Sequence, residues 1–133
     1  MISIDEMEYL LDELSQELPQ EFYKDLNGGI LLLPEARISP EARQNDLYTL
    51  GLYRYSHSMG RYITIYYGSF ARIFGHLSTE ELKEQLRETL YHEFTHHMES
   101  LAGERGLEKK DEEFMRKYHE SGYGYRSPRL RKE

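Results

Sequence analysis

The chain contains no cysteine and no tryptophan. Without cysteine there are no disulfides and no thiolate metal ligands, so a metal site must draw on His, Asp and Glu. The same absence fits a cytoplasmic protein, and that location is the expectation. Long hydrophobic runs are also missing, and none approaches the length of a membrane span. Met1 to Leu18 carries no basic residue, which does not fit a secretory signal. Positive charge is scarce: 17 Lys and Arg face 24 Asp and Glu, for a net charge of −7. Residues 1–120 alone hold 13 basic and 23 acidic side chains. So acidic a body argues against a nucleic-acid partner.

What is present is a single domain's worth of core. Apolar content is 38%, and twelve tyrosines add large apolar bodies with polar ends. Residues 1–120 read as one domain. Residues 121–133 hold Arg126, Arg129, Arg131 and Lys132 against Glu133, with Gly122, Gly124 and Pro128, and read as a flexible basic tail.

Ser3-Ile4-Asp5-Glu6 has the form of a capping box. It opens a helix with Ile4, Met7, Leu10, Leu11, Leu14 and Leu18 on one face, ended near Pro19. After Asn27-Gly28-Gly29, the apolar run Ile30 to Leu33 predicts a buried strand. Residues 34–46 read as a loop. Residues 47–55, with Gly51 as a bulge, and 62–67 predict a hairpin around a turn at 56–60. Phe70, Ile73 and Phe74 predict a short helix before Gly75. A second capping box, Ser78-Thr79-Glu80-Glu81, opens a long helix with Leu82, Leu86, Leu90 and Phe94 at helical spacing. A turn at Gly103–Gly106 and a last helix over 107–118 follow. The order predicts an α+β domain: a small, mainly antiparallel sheet packed on an N-terminal helix, a long active-site helix and a C-terminal helix.

The long helix carries His92-Glu93-Phe94-Thr95-His96, an H-E-x-x-H motif. Residues i and i+4 share a helix face, so two imidazoles can hold one Zn²⁺. The Glu is the general base for the attacking water. A shuffled chain of this composition carries the motif about 3 times in 100, so the helical setting matters as much as the letters. Metal ligands are therefore expected at His92 and His96, with Glu93 catalytic. His97 is turned about 100° from His96 and suits packing or support of the site. His57 and His76 fall in turns and are expected to be solvated.

An open zinc site needs a third protein ligand. The longer H-E-x-x-H-x-x-G-x-x-H pattern fails, with Glu99 and Ala102 at its last two marked positions. Glu99 lies about 10 Å along the helix from His92, a poor chelating distance. In the last helix, Leu107, Phe114, Met115 and Tyr118 form an apolar stripe with Asp111 inside it. A carboxylate there is costly unless paired or metal-bound. A hairpin turn at 103–106 would bring it level with the motif. Asp111 is the leading candidate, with Glu112 and Glu108 as alternatives. Tyr118, His119 and Tyr123 are candidates to stabilise an oxyanion.

The segment Leu86-Arg87-Glu88-Thr89-Leu90-Tyr91-His92-Glu93-Phe94-Thr95-His96-His97 resembles the signature of the minimal zincin family, small bacterial zinc metallopeptidases. Gly51-Leu52-Tyr53 and Ile63-Thr64-Ile65-Tyr66 are similar to two further family segments. The resemblance implies a zincin-like fold, a Zn²⁺ cofactor and an acidic ligand after the second His, often an Asp soon after H-H-x-G. Here Glu99 replaces that Gly and Ala102 replaces that Asp. Ser100 to Lys110 reads as an insertion, after which Asp111-Glu112 matches the acidic step.

The expected function is a zinc-dependent metallopeptidase acting on a peptide or protein substrate. A strand edge within 61–67 would hold that substrate by adding it to the sheet. The alternative is a non-proteolytic zinc-binding or protein-interaction domain on the same scaffold.

Overall fold

A computed structural model describes residues 1–40, 47–105 and 130–131. Helix α1 spans Ile4–Glu17, and Ser3 caps it with Glu6 in the reciprocal box. Met7, Leu11 and Leu14 are buried along its inner face. Pro19 then leads into a 3₁₀ turn, Gln20–Tyr23, which buries Phe22. The strands are β1 (Gly29–Leu33), β2 (Arg37–Ile38), β3 (Tyr48–Thr49), β4 (Gly51–Ser56), β5 (Gly60–Tyr66) and β6 (Leu130–Arg131). Helices α2 (Tyr67–Phe74) and α3 (Thr79–Arg105) complete the described elements.

The main sheet has the order β1-β5-β4. β4 and β5 form the expected antiparallel hairpin, from Gly51↔Ile65 to Ser56↔Gly60. Gly60 has φ +72°, the left-handed conformation a three-residue hairpin turn demands of one residue. β1 runs parallel to β5, from Gly29↔Tyr62 to Leu33↔Tyr66. The fold is α+β, and its sheet is mixed rather than mainly antiparallel. A second small sheet, β2-β3-β6, pairs Tyr48–Thr49 with Arg37–Ile38 and, in parallel, with Leu130–Arg131. The strand expected over 47–55 is thus divided at Leu50 between two sheets.

Two expectations about strands change. β5 is the central strand, flanked on both sides, so 61–67 offers no free edge. Its β-branched and aromatic composition marks burial, and a central strand is where burial is greatest. β1, expected to be buried, is an edge strand half-exposed along its length.

α1 and α3 pack on one face of the sheet, where Met7, Leu14, Ile63, Ile65, Leu82, Leu86, Leu90 and Phe94 share one core. α3 lies against β4, β5 and α1. Ser78 Oγ accepts from the Glu81 amide at 3.2 Å, and the Glu81 carboxylate accepts from the Ser78 amide at 3.2 Å, closing the second box. α3 does not stop at Gly103 but runs on to Arg105. One glycine costs a helix only about 1 kcal/mol, too little to end one of this length. Residues 103–105 are therefore helix, and the turn expected at 103–106 is not centred there. The proposed last helix, Asp111, Glu112 and Glu108 lie outside the described residues. So do Tyr118, His119, Tyr123 and most of the basic tail. Among the described residues, no helix is long and apolar enough to cross a membrane.

Candidate metal centre

The middle of α3 is fixed before the motif begins. Arg87 Nε and Nη2 donate to the two carboxylate oxygens of Glu17, each at 2.9 Å, and Nη1 contacts Glu84. The paired hydrogen bonds from Arg87 hold the Glu17 carboxyl below its usual range, against the opposing effect of burial. In turn, the Glu17 bonds raise the Arg87 guanidinium further above its ordinary value. This fork joins the last turn of α1 to α3. Tyr91 O–H reaches the same carboxylate at 3.4 Å.

Two residues after Arg87, at Thr89, β4 comes unusually close. A Cβ on Gly51 would meet Thr89 Cγ2 at 3.0 Å and Ile65 Cδ1 at 3.2 Å. Gly51 therefore serves close approach rather than a bulge. Thr89 itself turns its hydroxyl back onto the Gln85 carbonyl at 2.9 Å.

His97 fixes the far end of the motif. It is fully buried. Its Nε2 lies 2.8 Å from the Lys24 carbonyl, which can only accept, so Nε2 carries the proton. Nδ1 is then the acceptor for the Tyr53 hydroxyl at 2.8 Å. Both ring nitrogens are used, and His97 ties α3 to β4 and to the turn after α1. Burial pushes its pKa below the ordinary histidine value, opposed by the bond to Lys24. Burial thus favours the neutral ring, and with both nitrogens engaged neither is left for a metal.

On the adjoining side of the helix, His92 and His96 present their rings differently. Their Nε2 atoms lie 3.1 Å apart. The ring planes are nearly perpendicular, at 88°, with centroids 4.7 Å apart. Two nitrogens each about 2.0–2.1 Å from a tetrahedral zinc would stand about 3.4 Å apart. The pair fits one metal ion with a shift of a few tenths of an ångström. His96 is partly open to solvent, with its side chain 40% exposed. Glu99 Oε1 stands 3.9 Å from His96 Nδ1, on the far side of the ring from Nε2. Glu99 is thus placed beside the imidazole and not beside the convergent nitrogens. Glu93 is fully buried. Carboxylates are rarely held wholly out of water, and this one lies between the two histidines in sequence.

Among the described residues, no three His, Asp or Glu side chains gather in a way that could hold a metal. The third-ligand candidates Asp111, Glu112 and Glu108 fall outside that set. Two hollows open along α1, lined in part by Asp5, Glu8, Asp12, Ile30 and Leu32, and neither involves the histidines.

The sequence reading missed Arg87 and its partner Glu17. Its one signal was a cation between Leu86 and Leu90, at the border of the buried stripe. It also missed the Tyr53–His97–Lys24 link, which joins residues 44 and 73 positions apart. No local pattern encodes that.

A family model described as zincin-like metallopeptidase matches residues 42–115, which include the whole motif. Among solved structures, a conserved hypothetical protein from Thermus thermophilus is 32% identical. The match covers 76% of this chain and 98% of that one, with a TM-score of 0.64. No curated protein matches. With the motif helix, the convergent histidines and the buried Glu93 on the page, the family match completes the assignment: the chain belongs to the zincin-like metallopeptidase family.

Proposed function

We propose that the protein is a zinc-dependent peptidase in which His92 and His96 hold the metal and Glu93 is the general base. The observation that supports this most is the convergence of the two Nε2 atoms at 3.1 Å on a helix fixed at both ends of the motif. Asp111 is the proposed third ligand, with Glu112 and Glu108 as the other candidates. Zinc, when bound, supplies a Lewis acid that polarises the scissile carbonyl and acidifies the attacking water. Glu93 takes the proton from that water and delivers it to the leaving amine. The burial of Glu93 keeps bulk water from competing for the same proton.

An extended peptide needs a strand edge. β5 is excluded by its two neighbours, so the role passes to β4, the edge strand packed against α3. Peptide backbone added to β4 would run beside the helix that carries the motif.

The test is zinc content and cleavage measured together on untagged protein. Wild type should carry about one zinc per chain and cleave a mixed peptide library, however slowly. Glu93→Gln should keep the zinc and lose cleavage. His92→Ala should lose both. Zinc retained with no cleavage by wild type would leave a metal-binding domain without peptidase activity. No zinc in wild type, even after zinc is supplied, would remove the reading altogether.

A further inference from the structure

The sheet face turned away from α1 and α3 carries a polar cluster that the metal centre does not use. Tyr53 points to α3 through His97, so its neighbour Arg54 points to the opposite face. There Arg54 Nη2 donates to the Tyr66 hydroxyl at 3.0 Å. Arg37, arriving on β2, donates to the same oxygen through Nη1 at 3.3 Å. Thr64 Oγ1 stands 3.3 Å from it. Tyr66 is only 1% exposed, so the phenol is a fixed post between two half-buried guanidiniums.

Two cations held on one neutral oxygen repel each other. Their ordinary compensation would be a carboxylate. The ion pairs among the described residues instead join Lys83 to Glu13, Arg87 to Glu17 and Glu84, and His96 to Glu99. None reaches Arg37 or Arg54. Arg54 Nε is sealed from solvent and has no hydrogen-bond partner among the described residues. A guanidinium has five N–H donors; Arg37 gives one to the phenol, and Arg54 is hydrogen-bonded to Tyr66 and to Tyr62. Remaining donors on paired guanidiniums, with no counter-charge among the described residues, are the ordinary means of holding an oxyanion.

We infer that Arg37 and Arg54, braced by Tyr66, form a binding site for a phosphate or carboxylate group. The inference does not rest on the zinc reading. None of its residues lies on α3, and the site faces the other way. The competing explanation is that the cluster only pins β2 to β4 and β5.

Isothermal titration of the full metal-free chain, with the chelator dialysed away, separates these. The probes are inorganic phosphate, acetyl-trialanine with a free C-terminus, and its C-terminal amide, in low-salt chloride buffer. Saturable 1:1 binding of phosphate or of the free acid is expected, with none of the amide. Phosphate binding alone names a phosphate ligand, and peptide-acid binding names a carboxylate. Arg37→Met and Arg54→Met should each weaken that binding at least tenfold, and Arg54→Lys less. The bound anion should raise the melting temperature of wild type and not of the Met variants. If Arg54→Met does not fold, Arg37→Met, on the two-residue strand β2, decides. Absence of binding by either anion, or binding that survives both substitutions, overturns the site. A lower melting temperature in the variants without anion binding assigns the cluster to pinning alone.

Discussion

His96 and His97 are neighbours in the chain and opposites in use. One ring is partly open, and its Nε2 points at a second imidazole 3.1 Å away. The other is buried, and both of its nitrogens are taken by groups that no local pattern brings near. The two residues differ by about 100° of helix rotation and nothing else. What decides their chemistry is the roll of α3. That roll is set by contacts outside the motif, by Arg87 with Glu17 before it and by His97 with Tyr53 and Lys24 after it. The proposed metal-binding face and the anchoring face are thus two sides of one device.

The sharpest way to break this comparison is to exchange the losses. His96→Ala should reduce zinc affinity by at least about 100-fold while the metal-free protein melts almost as wild type. His97→Ala should do the reverse. It deletes a buried ring and leaves the Lys24 carbonyl and the Tyr53 hydroxyl without their partner, a cost of about 3 kcal/mol. Zinc titration and urea unfolding on both variants check the pair. Equal loss of zinc affinity in both, at equal stability, would abolish the distinction between ligand and anchor.

The next effect belongs to the clamp at the other end. Arg87→Met keeps the side chain's length and removes the fork to Glu17. Hydrogen bonds to charged groups are worth about 1.5–3 kcal/mol, and Glu17 is half-exposed, so a loss of about 2 kcal/mol in urea unfolding is expected. A change below about 0.5 kcal/mol would mean that the apolar contacts of α1 alone hold α3 in place.

Parts of this arrangement were legible in the chain and parts were not, for physical reasons. Both capping boxes are local hydrogen-bond patterns, and both form at Ser3 and Ser78. The inward stripe of α3 follows from 3.6-residue periodicity, and Leu82, Leu86, Leu90 and Phe94 are buried as it requires. The hairpin at 51–66 announces itself by its β-branched and aromatic run around Gly60. Strand order carries no such signature. A central and an edge strand can share the same alternation, and β1 joins β5 across about thirty intervening residues. The motif singles out His92 and His96 as candidates by spacing, yet spacing cannot say which of two adjacent histidines is anchored. Nor could it choose among Asp111, Glu112 and Glu108, because that choice depends on how the chain returns after α3.

Gly51 offers a smaller and finer test of what positions the helix. A methyl group there would press on Thr89 Cγ2, three residues before His92. Gly51→Ala should destabilise by about 1–2 kcal/mol through overpacking. Thr89→Ser removes the opposing methyl, so the double variant should recover part of that loss in a thermal-melt cycle. Additive losses would show that Ile65, and not the approach of β4 to α3, is the tight contact.

The smallest expected effect is a slope rather than a loss, and it isolates His97 from its neighbours. Burial lowers the His97 pKa from 6.5 in the folded chain. The unfolded chain therefore takes up the proton first as pH falls. Stability contributed by the neutral ring is complete well above pH 6.5 and declines below it, down to the folded-state pKa. Glu17, whose folded pKa lies below 4.5, adds its own decline only at more acidic pH. Unfolding free energies of the metal-free protein measured from about pH 8 to 5 should thus fall near and below 6.5. His97→Phe, less stable throughout, should fall less steeply over that interval. Identical slopes in the two proteins would mean that the ring takes up its proton in the folded chain as readily as in the unfolded one. A protonated ring could not accept from Tyr53 at Nδ1, and the anchoring role would then have to rest on the Lys24 carbonyl alone.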